Sequence, residues 1–307
     1  MAPKRTICVI VNAGSGTGHD AQAEERLRRL FEAHGATAFV CLAGGPGDRG
    51  GLAGAIEAAL ARGPDVVVAG GGDGTVSTVA AALASTSVAL GVLPLGTLNH
   101  FARDLGVPPD VESAARAIVE GPRRTIDVGE VNGRAFINNS SLGLYPDIVR
   151  DRERQQQRLG RGKWLALVWA SLATLRRFPF LGVRLVVDGR ERRFRTPFVF
   201  IGNNSYRMEG FAIGGRDRLD AGTLSLYVAQ RAGRLRLLQL ALRALAGRLR
   251  QARDFEAIEA AEIVVESRRR RLHVALDGEV TVMTPPLTYR IRPGALTVVQ
   301  GPAAAAG

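Results

Sequence analysis

Cysteine is almost missing from this sequence: Cys8 and Cys41 are the only two among 307 residues. Two thiols cannot build a disulfide framework or the repeated spacing of a zinc site, which excludes stapled secreted scaffolds and zinc-finger modules. Both lie in apolar runs, so each is expected to be a small buried hydrophobe. Aromatic residues make up only 6%, and no nucleic-acid-binding signature accompanies them, so nucleic acid is not expected as a partner. Acidic residues are also short, 29 against 41 Lys and Arg, which leaves a formal charge of +12. A field of that sign attracts nucleic acid, anionic lipid head groups or phosphorylated ligands, and net charge is the one feature here that points to nucleic acid. Long apolar runs are lacking too. The longest, Trp164 to Leu175, falls short of the roughly 20 residues that a membrane span needs. The segment MAPKRTICVIVNAGSG has no apolar stretch of signal-peptide length. A reducing compartment is the expectation, with any contact to a membrane made from its surface. What is present suits a globular chain with room for two domains, at 46% hydrophobic and 23% charged residues.

The first part alternates short β-branched runs with helical patterns. Strands are predicted at 6–11, 37–42, 66–69 and 88–93, with helices from about Asp20 to His34, Gly51 to Arg62, and from the loop at residue 70 through Ala84. This alternation predicts an α/β domain, residues 1–123, with a parallel sheet covered on both faces. Such sheets bind ligands at the carboxyl ends of their strands. After Arg123 the pattern becomes antiparallel, with strands at 124–131, 134–141, 183–188, 192–202, 223–229, 261–266, 271–276, 280–283, 287–291 and 295–299. Asn132-Gly133, Asp188-Gly189 and Asp277-Gly278 are hairpin-turn signals. Helices at about 151–178 and 232–252 interrupt them. Residues 124–300 therefore read as a β-rich, β-sandwich-like domain whose last strand is free to return to the first domain, with 301–307 as a tail.

Three loops carry the chemistry. Gly70-Gly71-Gly72-Asp73-Gly74-Thr75 follows a buried strand and opens a helix, where glycines let backbone N–H groups approach a polyphosphate and the helix dipole favours it. Asp73 would repel a phosphate, but suits a Mg²⁺ ion or the proton of an attacking hydroxyl. Asn12-Ala13-Gly14-Ser15-Gly16 leaves the first strand in the same fashion. Pro94-Leu95-Gly96-Thr97-Leu98-Asn99 leaves the fourth, and Thr97 and Asn99 can offer a hydroxyl and an amide. No Walker A loop or protein-kinase signature set is present.

Together these loops resemble the diacylglycerol kinase catalytic-domain family, which includes bacterial soluble lipid kinases and sphingosine kinases. The likeness runs from VNAGSGTG, GGDGTVSTVA and PLGTLNHFARDLG through IDVGEVNGRAFINNSSLG, FVFIGNN, RLDAGTLSL and LDGE. It implies an N-terminal nucleotide domain, a C-terminal β-rich domain, and ATP with Mg²⁺ as the phosphoryl source. The resemblance places Gly71, Gly72, Asp73, Gly74, Thr75, Val76, Ser77 and Thr97 around the ATP phosphates, with Asp73 at the Mg²⁺ centre. It makes Glu279 the proton acceptor, with Asp73 the other candidate, and Asp147 a lipid head-group contact. Departures are Ala13, Ala43, Ser77 and His100. At the turn where bacterial relatives hold a structural Mg²⁺, this chain reads Asp220-Ala221-Gly222, so Asp220 lacks its neighbouring carboxylate.

The resemblance implies in-line transfer to a membrane-lipid hydroxyl, diacylglycerol first, with sphingoid bases or other glycerolipids behind it. An NAD kinase and a non-catalytic lipid- or nucleotide-binding regulator are the other readings. An anionic membrane surface is the expected partner, which a cytoplasmic lipid kinase would meet transiently at the inner face of the membrane. Segment 231–253, a Leu/Ala face with seven arginines, suits one, and Arg150 to Lys163 and Arg268 to Arg271 add charge. Nothing in the sequence opposes a homodimer.

Overall fold

The computed structural model describes residues 4–12, 21–44, 50–143, 181–187, 189–196, 198–209, 212–229 and 255–302. The chain divides into two compact units, residues 1–128 with 292–307, and residues 129–291. The division falls inside two strands, Arg123–Val131 (β5) and Leu287–Val299 (β18).

The first unit follows the alternation in the sequence. Its elements are β1 (Thr6–Asn12), α1 (Ala21–Ala33), β2 (Thr37–Ala43), α2 (Gly51–Leu60), β3 (Val66–Gly71), α3 (Asp73–Leu83), β4 (Ala89–Pro94), α4 (His100–Asp104) and α5 (Val111–Glu120). The first four strands are parallel in the order β2–β1–β3–β4. All six residues of β3 are buried, as are the first five of β4. Their unbroken apolar runs are what a strand covered on both faces requires. Cys8 in β1 is buried, and burial pushes its thiol up. Cys41 is exposed, contrary to expectation. It lies on β2, the last strand of the row, where alternate residues reach solvent. Helix α5 was not anticipated. Asp110 caps it by accepting from Ser113 N at 2.8 Å, and Arg5 donates to the Val119 carbonyl at 2.6 Å near its other end.

The second unit is antiparallel. It contains β6 (Arg134–Phe136), β7 (Asn139–Gly143), β8 (Leu181–Val187), β9 (Arg190–Thr196), β10 (Phe198–Asn203), β11 (Tyr206–Glu209), β12 (Ala212–Arg216), β13 (Leu224–Ala229), β14 (Phe255–Ala260), β15 (Glu262–Ser267), β16 (Leu272–Leu276) and β17 (Glu279–Met283). One sheet has the order β14–β13–β10–β7–β16–β17. In another, the first part of β18 is followed by β15, β8 and β9. Leu142, Val199, Leu226 and Val274 from the first meet Leu185, Ile263 and Tyr289 from the second in one buried core. Two inner faces sharing a core make a β-sandwich, and each such apolar side chain contributes about 1.5–3 kcal/mol on burial.

Both hairpin signals whose two residues are described take the form expected. Asn132 and Gly133 have φ of +46° and +81°, and Asp277 and Gly278 have +48° and +95°, the left-handed pair that a two-residue turn demands. Three strand predictions change. The run 134–141 breaks between β6 and β7. The run 192–202 divides between β9, which ends at Thr196, and β10, which begins at Phe198. The two runs flanking Pro293-Gly294 form one strand, β18, where the Asp127 carboxylate accepts from Gly294 N at 3.0 Å. Strands β11, β12 and β14 were not predicted. The expected helices at 151–178 and 232–252 lie outside the described residues.

Candidate active site

Because β1, β3 and β4 are adjacent and parallel, their carboxyl ends bring Asn12, Gly71 and Pro94 to one edge of the sheet. The chain turns one way from β1 to β2 and the other way to β3 and β4, so this edge is a topological switch point, where such sheets bind ligands. The Asn12 side-chain amide donates to Thr75 Oγ1 at 3.2 Å, tying the end of β1 to the first turn of α3. Gly72 is the N-cap of α3 with φ of −83° and ψ of −179°. Asp73 is the first helical residue, half-buried, and its Oδ1 accepts from Phe101 N at 3.5 Å.

The glycines are required by crowding. A Cβ on Gly71 would lie 2.7 Å from Thr75 Oγ1, and one on Gly96 would lie 2.4 Å from the Gly72 α-carbon. The loops after β3 and β4 thus pack backbone to backbone. Asn99, at φ of +49°, spends its amide on its own loop: Oδ1 accepts from Gly96 N at 3.1 Å, and Nδ2 donates to the Pro94 and Gly96 carbonyls at 3.2 and 2.8 Å. These bonds shape the loop after β4. Thr97 is exposed beside it, Thr75 and Val76 are buried in α3, and Gly74 and Ser77 are half-buried. Ser15 lies outside the described residues, as does Asp147.

In the second unit, Glu279 is exposed at the start of β17, just past the turn at Asp277-Gly278. The Asp277 carboxylate accepts from three backbone N–H groups, Ile137, Asn138 and Asn139, at 2.8, 2.8 and 2.9 Å. From the other side, buried Arg216 donates to the Ile137 carbonyl at 2.6 Å, the Asn203 carbonyl at 3.2 Å and Asn138 Oδ1 at 3.0 Å. Asn203 Nδ2 also donates to Ile137 O at 2.9 Å. The segments FINNSSLG, FVFIGNN and LDGE therefore meet in one hydrogen-bonded hub. Sequence reading missed Asp277 and Arg216 as its clamps; the signal for Asp277 was present as an Asx residue in a left-handed turn.

Which of these residues fit a metal differs by unit. Asp73 offers one carboxylate beside a row of amides, and among the described residues no three His, Cys, Asp or Glu form a cage. That fits a Mg²⁺ ion arriving with nucleotide phosphates and taking one or two protein carboxylates. Asp220 does not fit a structural ion: its Oδ1 accepts from Arg218 Nε at 3.1 Å, and Ala221 presents only its N–H, to Asn204 Oδ1 at 2.9 Å.

Comparison with known proteins agrees with this layout. Residues 6–131 match the family model of the diacylglycerol kinase catalytic domain. Residues 147–300 match that of the YegS C-terminal NAD kinase beta sandwich-like domain. A protein of Chromohalobacter salexigens named "Probable lipid kinase YegS-like" is 33% identical over 265 residues, covering 84% of this chain and 82% of its own. A protein of Mycobacterium tuberculosis named diacylglycerol kinase is 34% identical over 192 residues. That match spans 60% of this chain and 61% of the relative, under two thirds of its length. A crystal structure of a diacylglycerol kinase from Bacillus anthracis str. Sterne has the same fold, with a TM-score of 0.68 at 21% identity over 99% of both chains. Matched along both its α/β and its β-sandwich parts, the chain belongs to the diacylglycerol kinase catalytic-domain family, with a YegS-type C-terminal domain.

Proposed function

We propose that this protein transfers the γ-phosphoryl group of ATP to a hydroxyl of a membrane lipid, with diacylglycerol as the substrate and phosphatidic acid as the product. The observation that carries the reading is the edge of the first unit's sheet. There the Gly71–Thr75 turn opens α3, Asp73 stands in its first turn, and the Pro94–Asn99 loop packs onto Gly72. Main-chain N–H groups at that helix start suit polyphosphate. The names of the relatives at 33% and 34% identity support lipid as the acceptor.

In the proposed reaction the lipid hydroxyl oxygen bonds to the γ-phosphorus as the bond from phosphorus to the bridging oxygen breaks, releasing ADP. The hydroxyl proton passes to a carboxylate, Glu279 or Asp73. Mg²⁺ held with the phosphates would neutralise the charge that develops on them. Positioning and electrostatics supply the rate, as in phosphoryl transfer generally. Among the described residues no helix is long and apolar enough to cross a membrane, and the proposed enzyme reaches its substrate from the bilayer surface.

The test is incorporation of phosphate from ATP into diacylglycerol, monoacylglycerol, ceramide, sphingosine and phosphatidylglycerol in mixed micelles, with NAD as a soluble control. Labelling of diacylglycerol that disappears in Asp73→Asn, with the variant still folded, is expected. Labelling of NAD alone, or undiminished labelling in Asp73→Asn, would overturn the assignment.

A further inference from the structure

One edge of the second unit carries far more arginine than a strand edge needs. Residues 181–196 and 266–271 hold nine arginines against three acidic residues. They belong to the β8–β9 hairpin and to the turn that follows β15, and β8 pairs with both β9 and β15. The whole run Arg268–Arg271 is exposed, as is every arginine of β9. Arg184 stands directly opposite Arg193 across the hairpin, a like-charge pairing that weakens a sheet. Glu266, 2.6 Å from Arg184 Nε, and Glu191, 3.3 Å from Arg184 and 3.2 Å from Arg193, offset part of that cost.

Beside this row the sheet has a gap. Gly182 lies opposite Arg195, and a Cβ there would meet nothing within 4 Å. Gly182 is not in the left-handed region, so its backbone does not call for glycine. Glycine inside a strand often marks a bulge, a bend, or the close approach of a ligand or another backbone, and β8 and β9 keep an unbroken register here. A groove of about 580 Å³ lies here, lined by Gly182, Val183, Arg184, Arg193, Arg268 and Arg269, with the Glu266 carboxylate that Arg184 pairs also in its wall. Charge on β9 also discourages edge-to-edge pairing. One or two charges achieve that, and Arg268–Arg271 is a turn rather than an edge strand.

We propose that this groove and its arginine rim dock the phosphate head groups of an anionic bilayer, holding the second unit on the membrane. Guanidinium groups grip phosphate through paired N–H donors, and a leaflet of acidic lipid presents many phosphates to such a surface at once. A nucleic acid would call for stacking rings, whereas Phe194, the aromatic residue of the groove, packs against the buried core. The choice of occupant rests on the lipid-kinase reading; the groove and its charge do not.

The full chain is sedimented with vesicles of phosphatidylcholine containing phosphatidylglycerol, and with pure phosphatidylcholine vesicles, across a salt series. Arg193→Gln with Arg268→Gln and Arg269→Gln should weaken binding to the anionic vesicles by about fivefold per charge, flatten the salt dependence and leave phosphatidylcholine unaffected. Gly182→Glu, which fills the groove with a carboxylate and spares every arginine, should weaken it as well. Circular dichroism accompanies each variant. Unchanged binding in folded variants overturns the proposal. So does displacement by millimolar inorganic phosphate, which marks a site for a soluble anion, or a preference for a single-stranded RNA oligonucleotide lost in the same variants. Micelle labelling separates the two readings. Labelling in wild type with arginine-independent vesicle binding sinks the docking site alone, whereas arginine-dependent binding without labelling of any lipid sinks the kinase reading alone.

Discussion

Gly96 lies against Gly72 so closely that a Cβ on Gly96 would come within 2.4 Å of the Gly72 α-carbon. The neighbouring atom is backbone and cannot rotate away, so Gly96→Ala must push the loops after β3 and β4 apart. The loop after β3 is the proposed phosphate cradle, and a displacement near 1 Å in such a site costs about 100-fold in rate. We expect Gly96→Ala to lose roughly that much kcat/KM for ATP while keeping the circular dichroism of the parent. Activity within a few-fold of wild type would mean that the cradle does not depend on this contact.

Glu279→Gln separates the two candidate proton acceptors. The substitution keeps size and polarity and removes the basic oxygen. If Glu279 takes the hydroxyl proton, kcat should fall by about 100-fold or more, with KM for ATP unchanged because the residue lies outside the proposed phosphate loops. A kcat that holds while Asp73→Asn abolishes turnover assigns the proton to Asp73.

The Asp277 carboxylate is expected to hold the hub through which LDGE meets residues 137–139. Asp277→Ala strands three N–H groups that now bond a charged oxygen, and charge-assisted bonds of this kind contribute about 1.5–3 kcal/mol each when broken singly. It also puts alanine at φ of +48°. Asp277→Asn retains an acceptor and a residue that tolerates that conformation. Denaturation in urea should show a loss of about 3 kcal/mol or more for the alanine and roughly 1 kcal/mol for the asparagine. Equal losses would show that a neutral amide oxygen does not stand in for the carboxylate, so that the charge itself carries the contacts.

Much of the first unit was legible because its strands are unbroken apolar runs and its loops are glycine-rich, both local properties. The grouping of Asn12, Gly71, Thr75 and Gly96 followed from the parallel sheet that the alternation implied. That Asn99 also shapes its own loop was not legible, because spacing does not reveal its hydrogen bonds to Pro94 and Gly96. The hub around Ile137–Asn139 was unreadable for a different reason: Asp277 is about 140 residues away in sequence and Arg216 about 79. Cys41 was misplaced because an end strand has the same apolar sequence as an inner one. The groove over Gly182 depends on three strands meeting in register, which no single segment encodes.

Tyr289 supplies a pH dependence whose sign can be stated. Its ring is fully buried and its hydroxyl lies 3.0 Å from Ser140 Oγ. Burial pushes the phenol well above its ordinary value of 10.0, with the Ser140 bond opposing the shift. Below about pH 10 both folded and unfolded chains hold the proton, and the group gives no pH dependence. Above it the unfolded chain releases the proton while the folded chain keeps it. The unfolded state then binds fewer protons, and stability falls as pH rises. Tyr289→Phe should lower stability by about 1 kcal/mol at neutral pH, because Ser140 loses its partner. It should also flatten the decline above about pH 10 relative to wild type. Urea midpoints for both proteins on either side of that pH provide the check. Parallel declines would mean that the phenol ionises as easily in the folded chain as in the unfolded one.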